Sequence, residues 1–151
     1  MLKETILYQR MRAIANGPGD DFVWLKTFNY EFKKEIISLI QNDQLTDKGI
    51  DEAGQIIGYY SYVTELITRG QKQQGEPYNL NDTGAFYRSM IVNVFRDSFV
   101  IDADADKGQD NLFEKYGTGI IGLTDENLQK VALKIGEKYR FEMEQLLFGI
   151  G

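Results

Sequence analysis

Three short stretches of this chain hold side chains capable of chemistry. Asp82-Thr83-Gly84 has the sequence of an aspartic-protease catalytic loop. That chemistry needs two carboxylates sharing one proton, so a chain with one such loop would have to dimerise. The residues that follow, Ala85-Phe86-Tyr87-Arg88-Ser89, read as a helix, and no flap hairpin is evident. Asp82 or Thr83 therefore reads better as a helix cap, because a short polar side chain accepts the free N–H groups of a first turn.

Asp102-Ala-Asp104-Ala-Asp106 matches the first half of an EF-hand calcium loop. The glycine comes one place late, at Gly108, and Phe113 stands where a bidentate Glu is needed. These carboxylates read as a charged strand end, which protects an edge from wrong pairing. Tyr59, Tyr60, Tyr62 and Tyr78 supply rings that can stack on bases or sugars, but tyrosine is also a favoured residue of protein interfaces. The net charge of −6 decides between the two. An acidic domain gains no counterion-release affinity from phosphates, so the interface reading wins.

The chain has no histidine and no cysteine. That removes Ser-His-Asp triads, cysteine nucleophiles, zinc–thiolate sites and disulfides. Any enzyme here would work with carboxylates, Lys or Tyr. The rival reading is thus a carboxylate-based hydrolase, with two acids converging in a pocket, about 5 to 9 Å apart for glycosidase work. The expectation is no catalysis, no cofactor and no metal.

These residues need a scaffold. With 151 residues, 42% hydrophobic and 13% aromatic, the chain has enough apolar material for one packed domain. No apolar run reaches the ~18 residues of a membrane span. The N-terminal MLKETILYQRMRAIANG has charges throughout and lacks a signal-peptide core, so the protein is expected to be made and used without secretion.

Leu2, Ile6, Leu7, Met11 and Ile14 recur at helical spacing, which predicts an amphipathic helix over 2–15, broken by Gly17-Pro18-Gly19. A second helix, capped by Asp20 or Asp21, is expected to run to about Gln41, with Phe28, Phe32, Ile36, Leu39 and Ile40 on one face. Residues 42–58 read as a loop with a short edge strand, and 65–76 as a second open polar loop. Two β-branched and aromatic runs, 91–95 and 99–101, predict a β-hairpin. A short helix over 111–116 should stop at Gly117. The final helix should start after Thr124 as N-cap, with Leu123 and Leu128 as a hydrophobic staple. Its buried stripe should be Leu128, Val131, Ala132, Ile135, Tyr139, Met143 and Leu146, with Gly149 closing it. The expected fold is α+β: a small antiparallel sheet with a central hairpin, packed against N-terminal helices and a long C-terminal helix.

Three motifs in order carry a family resemblance. They are Gly54-x-x-Ile57-Gly58-x-Tyr60-Ser61-x-x-Thr64, then Tyr78-Asn-Leu80-x-Asp82-Thr83-Gly84-x-Phe86-Tyr87-x-Ser89, then Asn111-Leu112-x-x-Lys115-Tyr116-Gly117 followed by Gly122-Leu123-Thr124. Their order and spacing resemble the phage virion-morphogenesis proteins of the tail-completion and head–tail joining group, above all versions from crAss-like and other Bacteroidetes phages. The resemblance covers about residues 45–148 and leaves 1–44 as a helical extension. It implies a homo-oligomeric ring below the portal or capping the tail tube, in contact with a portal or adaptor ring and with tail proteins. The protein would be a structural part of the virion, assembled in the host cytoplasm, enclosing the DNA path without sequence-specific binding. Tyr59, Tyr60, Tyr62, Tyr78, Asp82, Thr83, Gly84, Phe86, Tyr87, Phe95 and Phe99 are the expected contact residues.

Overall fold

The computed structural model describes residues 20–148. The predicted helix over 2–15, its Gly-Pro-Gly break and the closing Gly149 lie outside the described residues. The fold is α+β: among the described residues there are six α-helices and one two-stranded antiparallel sheet. The chain divides into two compact units, each assembled from separate stretches.

The first unit comprises residues 20–37, 91–101 and 125–148. Helix α1 (Asp20–Thr27) is followed by α2 (Tyr30–Ser38). The expected single helix is two, and Asn29 is the reason. Its Oδ1 accepts the Phe32 N–H at 2.9 Å, so a short polar side chain starts a new helix where the periodicity alone ran on. The expected face survives the break: Phe28, Phe32 and Ile36 are buried. Strands β1 (Ile91–Val94) and β2 (Phe99–Asp102) form the predicted hairpin, closed by the Phe95 N–H on the Ser98 carbonyl at 2.8 Å. The Phe99 ring lies 5.3 Å from that of Phe28, and the Trp24 indole N–H donates to the Phe95 carbonyl at 2.6 Å. The long helix here, numbered α6 (Asp125–Phe148), begins where Thr124 predicted, and α1 packs on it. Val131, Ala132, Ile135 and Tyr139 are buried as expected, whereas Leu146 is half exposed. Leu128 and Met143 are half buried, so the stripe thins at both ends.

The second unit comprises residues 38–90 and 102–124. Residues 42–48 are not loop. They belong to a π-helical stretch, Leu39–Lys48, which ends at Gly49 with φ 64°. The physical reason is burial: Ile40, Gln44 and Leu45 are fully buried, a tertiary gain that the polar sequence does not advertise. Gly49 must be glycine twice over, since a Cβ there would also strike Pro77. An isolated bridge pairs Ile50 with Ile56, close to the predicted edge strand. The polar loop expected at 65–76 starts inside a helix, α3 (Tyr62–Ile67), capped by Ser61, whose Oγ accepts the Thr64 N–H at 3.2 Å. Helix α4 (Ala85–Ser89) starts from Gly84 at φ 81°, so neither Asp82 nor Thr83 is the N-cap residue. Thr83 Oγ1 instead accepts the Ala85 N–H at 3.3 Å, from one position further out. Helix α5 (Leu112–Tyr116) ends at Gly117 as predicted, and Asn111 Oδ1 caps it by accepting from Phe113 and Glu114. The apolar loop after it is a 3₁₀ turn, Thr118–Ile121, that buries Ile120 and Ile121.

Candidate functional site

The three motifs, far apart in sequence, meet in the second unit through one tyrosine each. Tyr60, Tyr78 and Tyr116 form a column of edge-to-face rings, with centroids 4.9 Å and 5.9 Å apart. This is the favoured geometry for aromatic quadrupoles. The column depends on a glycine of the first motif: a Cβ on Gly58 would overlap the Tyr78 ring. The backbones join at the same place, since the Tyr78 N–H donates to the Gly58 carbonyl at 2.8 Å.

Asn79 ties a second tyrosine into this centre. Tyr60 Oη donates to Asn79 Oδ1 at 2.9 Å and accepts the Asn79 N–H at 3.1 Å. Tyr87 Oη donates to the Asn79 carbonyl at 2.5 Å and sits 3.3 Å from Thr46 Oγ1. Gln41 Nε2 completes the network by donating to the Tyr87 carbonyl at 2.7 Å. Burial pushes both phenols above the ordinary tyrosine value. For Tyr60 the Asn79 hydrogen bond partly offsets this, and for Tyr87 the Thr46 hydroxyl does. A satisfied, partly buried polar network of this kind favours one arrangement of the loops it joins.

The expected contact residues divide between surface and interior. Tyr59, Tyr62, Asp82, Thr83 and Phe95 are exposed. Tyr60 and Phe86 are buried, and Phe86 packs near Phe113. Tyr78, Gly84, Tyr87 and Phe99 are half buried. Phe95 and Phe99 belong to the first unit and the other nine to the second. Sequence reasoning missed Asn79 and Tyr116 as members of the tyrosine centre, and Val63, Leu66 and Ile67 as exposed apolar residues. The spacing 62, 63, 66, 67 was the available signal for the last three.

The carboxylates hold backbone rather than one another. Asp102 Oδ1 accepts the Ala103 N–H, Asp104 Oδ1 that of Asp106, and Asp106 Oδ1 that of Gly108, at 2.8–3.0 Å. Asp104 is also fixed by its own N–H, which donates to Ser89 Oγ at 2.9 Å. Among the described residues, no group of three or more His, Cys, Asp or Glu side chains is arranged to hold a metal ion. None of the described helices is long and apolar enough to cross a membrane.

No protein-family model, curated protein or solved structure matches the chain.

Proposed function

We propose that this chain is a structural protein of a tailed-phage particle, one copy of a ring in the head-to-tail connector. The observation that carries the reading is the tyrosine column. The three motifs behind the resemblance each contribute one ring to a single packed centre in one unit. A shared motif set that builds one structural centre is a better basis for a family relation than three unconnected matches.

Chemistry and charge point the same way. Asp82, Asp102 and Asp104 are all exposed, and the latter two cap backbone. A carboxylate hydrolase would instead draw its acids into a pocket. Acidic residues facing a lumen would let DNA slide past without sticking. Neighbouring portal or adaptor rings and tail proteins would be met through the exposed aromatic and apolar residues, including Tyr59, Tyr62 and Phe95.

Electron microscopy of the particles encoded alongside this chain tests the reading, together with native mass spectrometry of the purified protein. A closed ring at the neck is expected. A protein that stays monomeric and is absent from purified particles would sink it. A ring at the far end of the tail tube would move the assignment to a tail terminator.

A further inference from the structure

Helix α3 is turned inside out. Its polar side chains bond back to its own turn and to the loop that follows it. Glu65 Oε2 accepts the Gln74 N–H at 2.8 Å. Just past the helix, Thr68 Oγ1 donates to the Thr64 carbonyl at 2.8 Å and accepts the Lys72 N–H at 3.1 Å. Its large apolar side chains face out: Tyr62, Val63, Leu66 and Ile67 are 56%, 60%, 59% and 76% exposed, and no residue of the helix is buried. Positions i, i+1, i+4 and i+5 share one side of a helix, so the four form one surface. Together they expose on the order of 500 Å², comparable to the largest apolar patch of an ordinary monomer. That is less than the ~800 Å² each partner gives to a standard interface, and it suits one docked segment better than a second globular face.

The chain itself contains a segment of the right chemistry. Residues 2–15 place Leu2, Ile6, Leu7, Met11 and Ile14 at helical spacing, and they carry Lys3, Arg10 and Arg12 against Glu4. The unit that holds α3 is of opposite sign, with twelve Asp and Glu against six Lys and Arg. An amphipathic basic segment laid on an apolar face of an acidic unit combines helix-type docking with electrostatic attraction.

We infer that the outward face of α3 receives residues 2–15 of a second copy of this chain. This rests on the ring reading and supplies it with a contact of the right kind. A segment of one copy on a different surface of the next is heterologous, and such a contact gives a ring where the rotation between copies closes.

The chain has no cysteine, so probes can be placed at will. Leu7→Cys is made in isotope-labelled full-length protein and Ile67→Cys in unlabelled protein. The two are mixed, joined with a short bis-maleimide, and the linked peptides are read by mass spectrometry. The expected result is a link between a labelled and an unlabelled copy. It should fall at least fivefold when Leu66→Glu is added to the unlabelled copy, or when Lys3, Arg10 and Arg12 are all changed to Glu in the labelled one. Leu66 is exposed, so circular dichroism should show an unchanged fold. A chain carrying both Leu7→Cys and Ile67→Cys is the control: if it links only within itself the inference is overturned, as it is by a link between copies that is insensitive to Leu66→Glu. Native mass spectrometry of the unmodified protein separates the two levels. A closed ring without the link overturns this inference and leaves the ring standing. A monomer absent from particles overturns both.

Discussion

Gln44 and Gly122 stand 78 residues apart and are joined by a 2.7 Å hydrogen bond from Gln44 Nε2 to the Gly122 carbonyl. The other atom of the same amide, Oε1, accepts the Thr124 N–H at 3.0 Å. Gln44 is fully buried, so one side chain from the π-helical stretch satisfies a carbonyl and an N–H on either side of Leu123. Gln44→Leu fills similar space and leaves both backbone groups without this partner. It should lower stability by about 2 kcal/mol, the loss of two hydrogen bonds at about 1 kcal/mol each. Urea unfolding followed by circular dichroism gives the number, and a loss under 0.5 kcal/mol would show that water replaces the amide.

Gly58 and Tyr78 should be energetically coupled. A methyl group on residue 58 would overlap the Tyr78 ring, so Gly58→Ala should cost about 1–3 kcal/mol from overpacking. The same substitution made with Tyr78→Ala should cost far less, since the obstructing ring is gone. A double-mutant cycle with no coupling energy would mean that the loop simply shifts.

Alkaline pH should destabilise the protein through two phenols, that of buried Tyr60 and that of half-buried Tyr87. Tyr60 and Tyr87 hold their protons to higher pH in the folded state than the ordinary value of 10.0, chiefly because burial disfavours phenolate. Their folded pKa is raised, so their contribution is fully present below the unfolded value. It is lost as pH rises from about 10 through the folded values. Urea midpoints measured from pH 8 to 11 should fall most steeply above 10. Substituting both by Phe should flatten that fall, although it weakens the protein at pH 8 by removing the Asn79 hydrogen bonds.

Calcium should leave thermal stability unchanged. Each of Asp102, Asp104 and Asp106 uses Oδ1 to cap a neighbouring N–H, and an amide oxygen can do the same. Asp104→Asn should therefore shift the melting temperature by less than about 1 °C, as expected for a surface change that keeps its hydrogen bond. Millimolar calcium or a chelator should have no larger effect. A calcium-dependent rise of several degrees would show a bound ion instead.

Trp24, the single tryptophan, reports on the first unit. Trp24→Phe keeps a ring beside Phe28 but removes the indole N–H that holds the Phe95 carbonyl at the hairpin turn. A loss of about 1–2 kcal/mol is expected, the sum of one hydrogen bond and a reduced aromatic area. Amide exchange at residues 95–98 should rise with it.

Local signals were legible in the sequence where one residue type decides one backbone conformation. The hairpin was readable because β-branched and aromatic runs flank a polar link. The stop at Gly117 was readable because positive φ favours glycine, here 84°. The start of α6 was equally plain, because Thr124-Asp-Glu marks a helix entrance. The α+β class followed from these elements. What the sequence could not decide was which polar residues face inward. Gln44 sits in a polar stretch and is fully buried, because its two partners arrive from residues 122 and 124. Asn79 looks like an ordinary turn residue and joins two tyrosines. Helix α3 reverses the usual rule, with Glu65 bonding back to the loop at Gln74 and Ile67 facing out. Burial is a property of the packed arrangement and not of a residue's own polarity. Periodicity can name a helix face, but only the tertiary contacts settle whether that face meets the core or is left for a partner.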